Sequence, residues 1–181
     1  MDDEEEYQAL MRLARAGDGE SLLQLIAGQQ ARLYRIARAY LKDDQDALDA
    51  LQETTFRAYQ GIAKLKDAAL FQTWLTRILL NCCNDEYRRR SKREWLAQWK
   101  QWGASQPSFA SGSDLKVTLE DAVRDLPTRQ KEIIILKYTQ QYTLTEIAVI
   151  LGCPEGTVKT GLHKALGRLR GLLGREVLAS E

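Results

Sequence analysis

Along most of the chain apolar residues return at spacings of three and four, the period of a helix with one buried face. Alternation over a strand length is hard to find. Leu33, Tyr34, Ile36, Ala37, Tyr40 and Leu41 set one stripe on a helix over 31–41. Leu48, Leu51, Phe56, Tyr59 and Ile62 lie on a broad stripe of a helix over about 45–65. A long helix over 71–93 buries Phe71, Leu75, Ile78, Leu79 and Cys82. Ile133-Ile134-Ile135-Leu136 could be a buried strand in isolation, but Gln130, Lys131, Glu132 and Lys137 extend a helical pattern around it. The pattern predicts an all-α chain.

The helical pattern is interrupted once. Gly103 to Asp114 is a Gly/Ser/Pro stretch of the kind that stays flexible. It predicts two small helical domains, 1–102 and 117–181, joined by a flexible linker over 103–116. Just before the break, Trp95, Trp99 and Trp102 recur at i, i+4 and i+7 and form one aromatic face of a short helix. Such a face packs on the preceding helices; the alternative is a docking surface for a partner.

The strongest local signal lies between Thr143 and Leu173. Thr143 and Glu146 have the spacing of a capping box, and Leu144, Ile147, Ala148 and Leu151 then mark one face of a short helix. Gly152 can take the left-handed conformation that ends it, and Pro154 suits the first turn of another. That second helix turns Val158, Leu162, Ala165, Leu166 and Leu169 inward and Gly156, Thr157, Lys159, Thr160, His163 and Lys164 outward. A short helix, a glycine turn and a helix with small, polar and basic exposed residues describe a helix-turn-helix that enters the major groove of DNA.

Charge matters through its placement. The 181 residues carry 26 Lys plus Arg against 25 Asp plus Glu, so the total says nothing about partners. Lys159 to Arg175, however, holds five cations and no acid. On the helix over 71–93, Arg77, Asn81, Asp85 and Arg88 share a polar face, where an asparagine flanked by arginines can meet base edges and phosphates. The run Arg88 to Arg93, beside Phe71 and Trp74 as stacking rings, suits unpaired bases. The preceding helix gathers Asp46, Asp49, Gln52 and Glu53 on one face, a docking site for a basic protein partner. One histidine and three cysteines without C-x-x-C spacing exclude a multi-His metal site and a disulfide framework. Neither a phosphate-cradling glycine loop nor a nucleophile motif is present, so no enzyme activity, metal or cofactor is expected. The acidic start Asp2 to Glu6 and the lack of an apolar run of membrane length predict a soluble, cytoplasmic protein.

Taken together, Asp46 to Thr54, Phe71-Gln72-Thr73-Trp74-Leu75 with Arg77, Ile78, Asn81 and Arg88, then Leu126-Pro127, Ile133 to Tyr138, Glu146-Ile147-Ala148 and Gly156-Thr157-Val158-Lys159 resemble regions 2 and 4 of the extracytoplasmic-function (ECF) sigma factors. The resemblance covers residues 20 to about 173 in the family's order. It implies a dissociable promoter-specificity subunit of bacterial RNA polymerase, with core polymerase and promoter DNA as partners and a membrane-anchored anti-sigma factor as its restraint. By carry-over, Asp46, Asp49, Gln52 and Glu53 would dock on the clamp helices of the polymerase. Phe71, Trp74, Arg77, Asn81, Asp85 and Arg88 would recognise and open the −10 element. Glu155, Gly156, Thr157, Lys159, Thr160, His163 and Lys164 would meet the −35 element. Two departures stand out. Leu48 occupies a place where the family often has an acid. Gly161 stands where an arginine is common, which predicts a missing phosphate contact, weaker −35 binding, and tighter binding on Gly161→Arg. The other reading of these residues is a stand-alone helix-turn-helix regulator acting as a dimer.

Overall fold

A computed structural model describes residues 2–102 and 119–179. The described residues form nine α-helices and no strand. Five make the N-terminal half: α1 (Asp2–Arg15), α2 (Gly19–Ala27), α3 (Gln30–Leu41), α4 (Asp44–Gly61) and α5 (Phe71–Trp102). Four make the C-terminal half: α6 (Leu119–Arg124), α7 (Thr128–Thr139), α8 (Leu144–Leu151) and α9 (Glu155–Ala179). The expected linker over 103–116 lies outside the described residues.

Local chemistry starts these helices where the sequence allows. Asp18 accepts from the Ser21 amide at 2.9 Å and opens α2, and Asp43 does the same for α4 from the Asp46 amide. Thr143 and Glu146 form the reciprocal capping box at the start of α8. Gly152 closes that helix at φ 62, and α9 begins at Glu155, so Pro154 precedes the first turn and lends its carbonyl to Thr157 and Val158.

The helix over 45–65 is corrected by the packing. It ends at Gly61, followed by a 3₁₀ turn over Ile62–Lys64, and the face it buries consists of Ala47, Ala50, Thr54 and Ala58. Small side chains let α4 lie close against α5. The larger Leu48, Phe56 and Tyr59 of the supposed stripe are exposed instead. α5 likewise continues to Trp102, so the Trp95 face rides on its end rather than on a separate helix. Trp95 is exposed, and the side chains of Trp99 and Trp102 fall outside the described residues.

The two halves are packed together. Six consecutive α7 residues, Lys131 to Leu136, are buried, because α7 has α3 on one side and α9 on the other. Ile133, Ile135, Leu136, Ile147, Ile150, Leu151 and Val158 join Leu33, Ile36, Tyr40, Leu75, Leu79 and Cys83 in one core. A smaller cluster of Ala122, Leu126, Ile134, Ala165 and Leu169 belongs to the C-terminal half alone.

Candidate nucleic-acid and polymerase interfaces

On α4 the four expected docking residues do not share one environment. Asp49 and Gln52 are exposed. Asp46 turns toward α5, where its side chain is only 13% exposed and Arg90 reaches it at 3.1 Å. Glu53 holds Arg57 at 2.7 Å, and Arg57 continues to Asp85 at 2.9 Å. Those two hydrogen-bonded carboxylates, Glu53 first, raise the Arg57 pKa above the usual guanidinium value. Alongside lie the exposed Leu48, Phe56 and Tyr59, which periodicity had assigned to the core. The outer side of α4 is therefore half apolar and half acidic, the composition of a protein-docking face rather than a DNA face.

The expected −10 residues separate in the same way. Phe71 is corrected to a core residue: at 1% exposure it presents no ring to a base. Trp74 is half-buried against it, ring centroids 6.0 Å apart, with the backbone of Gly61 close on its other side. Asn81 and Arg88 are exposed on α5. Asp85 is engaged by Arg57, which fits a carboxylate that positions a neighbour better than one facing phosphates. Arg77 donates from Nε to the Ile150 carbonyl at 2.8 Å and from Nη2 to the Val149 carbonyl at 2.7 Å, at the C-terminal end of α8. Much of the basic run is spoken for as well: Arg89 and Arg93 hold the buried Glu86, and Arg90 spans Asp46 and Glu94.

In the C-terminal half α8, Gly152 and α9 form the expected helix-turn-helix. Glu155, Gly156, Thr157, Lys159, Thr160, His163 and Lys164 are all exposed, opposite the buried Val158, Ala165 and Leu169. Glu155 accepts from the Thr145 hydroxyl at 2.7 Å and ties the two helices together. Gly161 is a second correction. It faces α7, where an added Cβ would come 2.6 Å from Ile133 Cδ1. The glycine admits a close crossing of α9 over the buried α7, and an arginine there would not project to phosphate. The expected gain from Gly161→Arg is withdrawn.

Sequence reasoning overlooked the residues at the junction of the halves: Arg32, Gln72, Asn84, Lys131, Glu132 and Tyr142. Two charged residues next to an apolar quartet, all within one helix, were the available signal.

Two helical domains in this order, the second a helix-turn-helix and the first a bundle with an acidic docking face, define a sigma-type specificity subunit of RNA polymerase. Residues 25–93 match Sigma-70 region 2 and residues 116–169 match Sigma-70 region 4. ECF RNA polymerase sigma factor SigM of Mycobacterium tuberculosis is 30% identical over 159 residues, covering 88% of this chain and 80% of SigM. RNA polymerase sigma factor SigV of Bacillus subtilis is 31% identical over 166 residues, covering 87% and 94%. CnrH, solved in complex with the cytosolic domain of CnrY, superposes with a TM-score of 0.67 at 26% identity over 94% of this chain and 98% of CnrH. The chain belongs to the ECF family of sigma factors.

Proposed function

We propose that the outer face of α4 docks on core RNA polymerase, that α5 recognises and opens the −10 element, and that the start of α9 meets the −35 element. In this reading Asp49, Gln52 and Glu53 supply the docking charges and Asp46 orients Arg90. Asn81 meets base edges while Arg77 and Arg88 hold phosphates. Trp74 is the ring left for stacking. Lys159, Thr160, His163 and Lys164 face the duplex from α9, with Glu155, Gly156 and Thr157 at its entry. The domain bounds 1–102 and 117–181, with the linker over 103–116, fit this division of labour. Nucleotide addition belongs to the polymerase, and the chain itself has no catalytic part to play.

The observation that carries the reading is the exposed polar and basic face of α9 set directly behind the Gly152 turn, in a chain whose first half exposes an acidic and apolar helix. Site of action follows from the partner: the chain works where the polymerase is, in the cytoplasm. Among the described residues no helix is long and apolar enough to cross a membrane. Control by an anti-sigma factor is supported by the likeness to CnrH, whose solved form is held by the cytosolic domain of CnrY; a membrane-anchored regulator fits that pattern.

In vitro transcription on fragmented genomic DNA, with bacterial core polymerase and with or without the chain, tests the reading. Chain-dependent transcripts sharing a two-part upstream motif are expected. Specific duplex binding without polymerase, and no new transcript, would instead establish a stand-alone regulator. Asp49→Arg with Glu53→Arg should abolish polymerase binding at unchanged helix content, and survival of binding would refute the docking assignment.

A further inference from the structure

The junction between the halves is polar where it could have been dry. Arg32 donates from Nη1 to the Tyr142 hydroxyl and to Thr76 Oγ1 at 2.8 Å, and Gln72 Nε2 reaches the same tyrosine hydroxyl at 3.1 Å. Asn84 Nδ2 donates to Glu132 Oε1 at 3.0 Å, and Arg77 caps the end of α8 through two carbonyls. Gly152 lies so near that an added Cβ would sit 3.2 Å from Arg77 Nη2. Helix C-termini leave carbonyls without intrahelical donors, and a guanidinium satisfies two at once.

Two features work against this closure. Lys131 is 3% exposed and Glu132 5%, although lysine and glutamate are almost never fully buried unless paired. The Lys131 ammonium lies over two rings of the other half, 4.1 Å from the Tyr87 centroid and 5.1 Å from that of Tyr40. Such contacts offset part of the lost hydration. Burial nonetheless pushes the Lys131 pKa down and the Glu132 pKa up, each against its charged form. Arg32 Nη2 is also buried without an acceptor among the described residues. At neutral pH, with both groups ionised, closure costs more than an apolar junction would.

We propose that the contact of α7 and α8 with α3 and α5 is an intramolecular latch, fastened by Arg77 and Tyr142 and kept weak by the buried Lys131 and Glu132. Arg77 is then shared: it caps α8 in the closed chain and is free for promoter DNA in the open one. The latch rests on the promoter-reading assignment in one respect. Elements at −10 and −35 are about 25 base pairs apart, about 85 Å of duplex at 3.4 Å per pair. In the closed chain Arg77 touches α8, the helix that immediately precedes the −35 reading helix, so one closed chain cannot reach both.

The Cys83 thiol reports opening. It is fully buried, and the charge of Glu132 acts on it from across the junction. In the full-length chain carrying Cys82→Ser and Cys153→Ser, Cys83 is the single thiol. The rate of its alkylation by iodoacetamide is compared with global unfolding followed by circular dichroism. Lys131→Met, which replaces a buried charge by an apolar chain of similar length, should slow labelling at least about threefold. Tyr142→Phe should speed it by about threefold, because Arg32 and Gln72 lose their acceptor. Both effects must appear below the unfolding transition. Equal labelling in all three proteins, or labelling that merely follows global unfolding, overturns the latch. Should Lys131→Met fail to fold, Tyr142→Phe decides alone. Polymerase-dependent transcription should fall with Lys131→Met and rise with Tyr142→Phe. Unchanged transcription beside altered labelling overturns the regulatory role. Absence of transcription from the unsubstituted chain instead defeats the sigma reading, with labelling still deciding whether the latch exists.

Discussion

Alanine at Gly161 tests how tightly α9 crosses α7. In a helix interior alanine is favoured over glycine by about 1 kcal/mol, since glycine loses more backbone freedom on folding. Gly167 and Gly171, on the same helix, have no atom within 4 Å of an added Cβ, so alanine there should stabilise by about that amount. At Gly161 the same Cβ would stand 2.6 Å from Ile133 Cδ1. Ile133 is fully buried in the shared core and has little room to turn away. Forcing a methyl into a packed site costs about 1–3 kcal/mol. Subtracting the propensity gain leaves Gly161→Ala between neutral and about 2 kcal/mol destabilised, and about 1–3 kcal/mol below Gly167→Ala. Urea unfolding followed by circular dichroism measures both variants in the same helix, where unfolded-state effects largely cancel. If Gly161→Ala stabilises as much as Gly167→Ala, the close crossing is not real and the correction to the −35 face fails with it.

Three further outcomes follow from the packing. Phe71→Ala should cost about 3–5 kcal/mol of stability, seen in urea unfolding, because it empties a core site rather than a DNA contact. Phe56→Ala, at a side chain 57% exposed, should leave stability within about 0.5 kcal/mol while weakening polymerase binding in a pull-down. Thr143→Ala should cost about 1 kcal/mol by removing the α8 cap. The Glu146 carboxyl is held below its ordinary pKa, first by the Thr143 amide and then by the Thr143 hydroxyl. Its contribution is thus present above the unfolded value and lost as pH falls through the folded one. In unfolding curves taken from pH 6 to about 3, Thr143→Ala should show a shallower acid loss than the parent, because the amide contact survives.

What the sequence made legible is what short-range chemistry decides. The Thr143–Glu146 cap, the Gly152 turn and the inner stripe of α9 depend on residues within one or two turns, and each is found where spacing put it. The α4 stripe failed because periodicity registers hydrophobicity and not size. Ala47, Ala50 and Ala58 face α5 because close helix approach needs small side chains, while Leu48, Phe56 and Tyr59 remain outside. Gly161 misled for the opposite reason: a glycine in a polar, basic helix looks exposed until the partner helix is known. Phe71 could be either ring for stacking or core, and only tertiary placement separates the two.

The α4 and α5 faces are also joined in a way that no single-helix pattern discloses. Arg57 grips Glu53 on the docking side and Asp85 on the promoter side, 28 residues apart in sequence. A charge reversal at Glu53 therefore does two things at once. It removes a docking carboxylate, and it sets Arg57 and an introduced cation against each other beside Asp85. Loss of polymerase binding in the double Asp49, Glu53 reversal would by itself leave these causes mixed. Glu53→Gln separates them, since glutamine keeps an acceptor for Arg57 while deleting the charge. If Glu53 acts by docking, Glu53→Gln weakens polymerase binding and leaves −10 discrimination intact. If it acts through Arg57, Glu53→Gln is nearly silent and Arg57→Met reproduces the reversal, with both docking and −10 recognition reduced together.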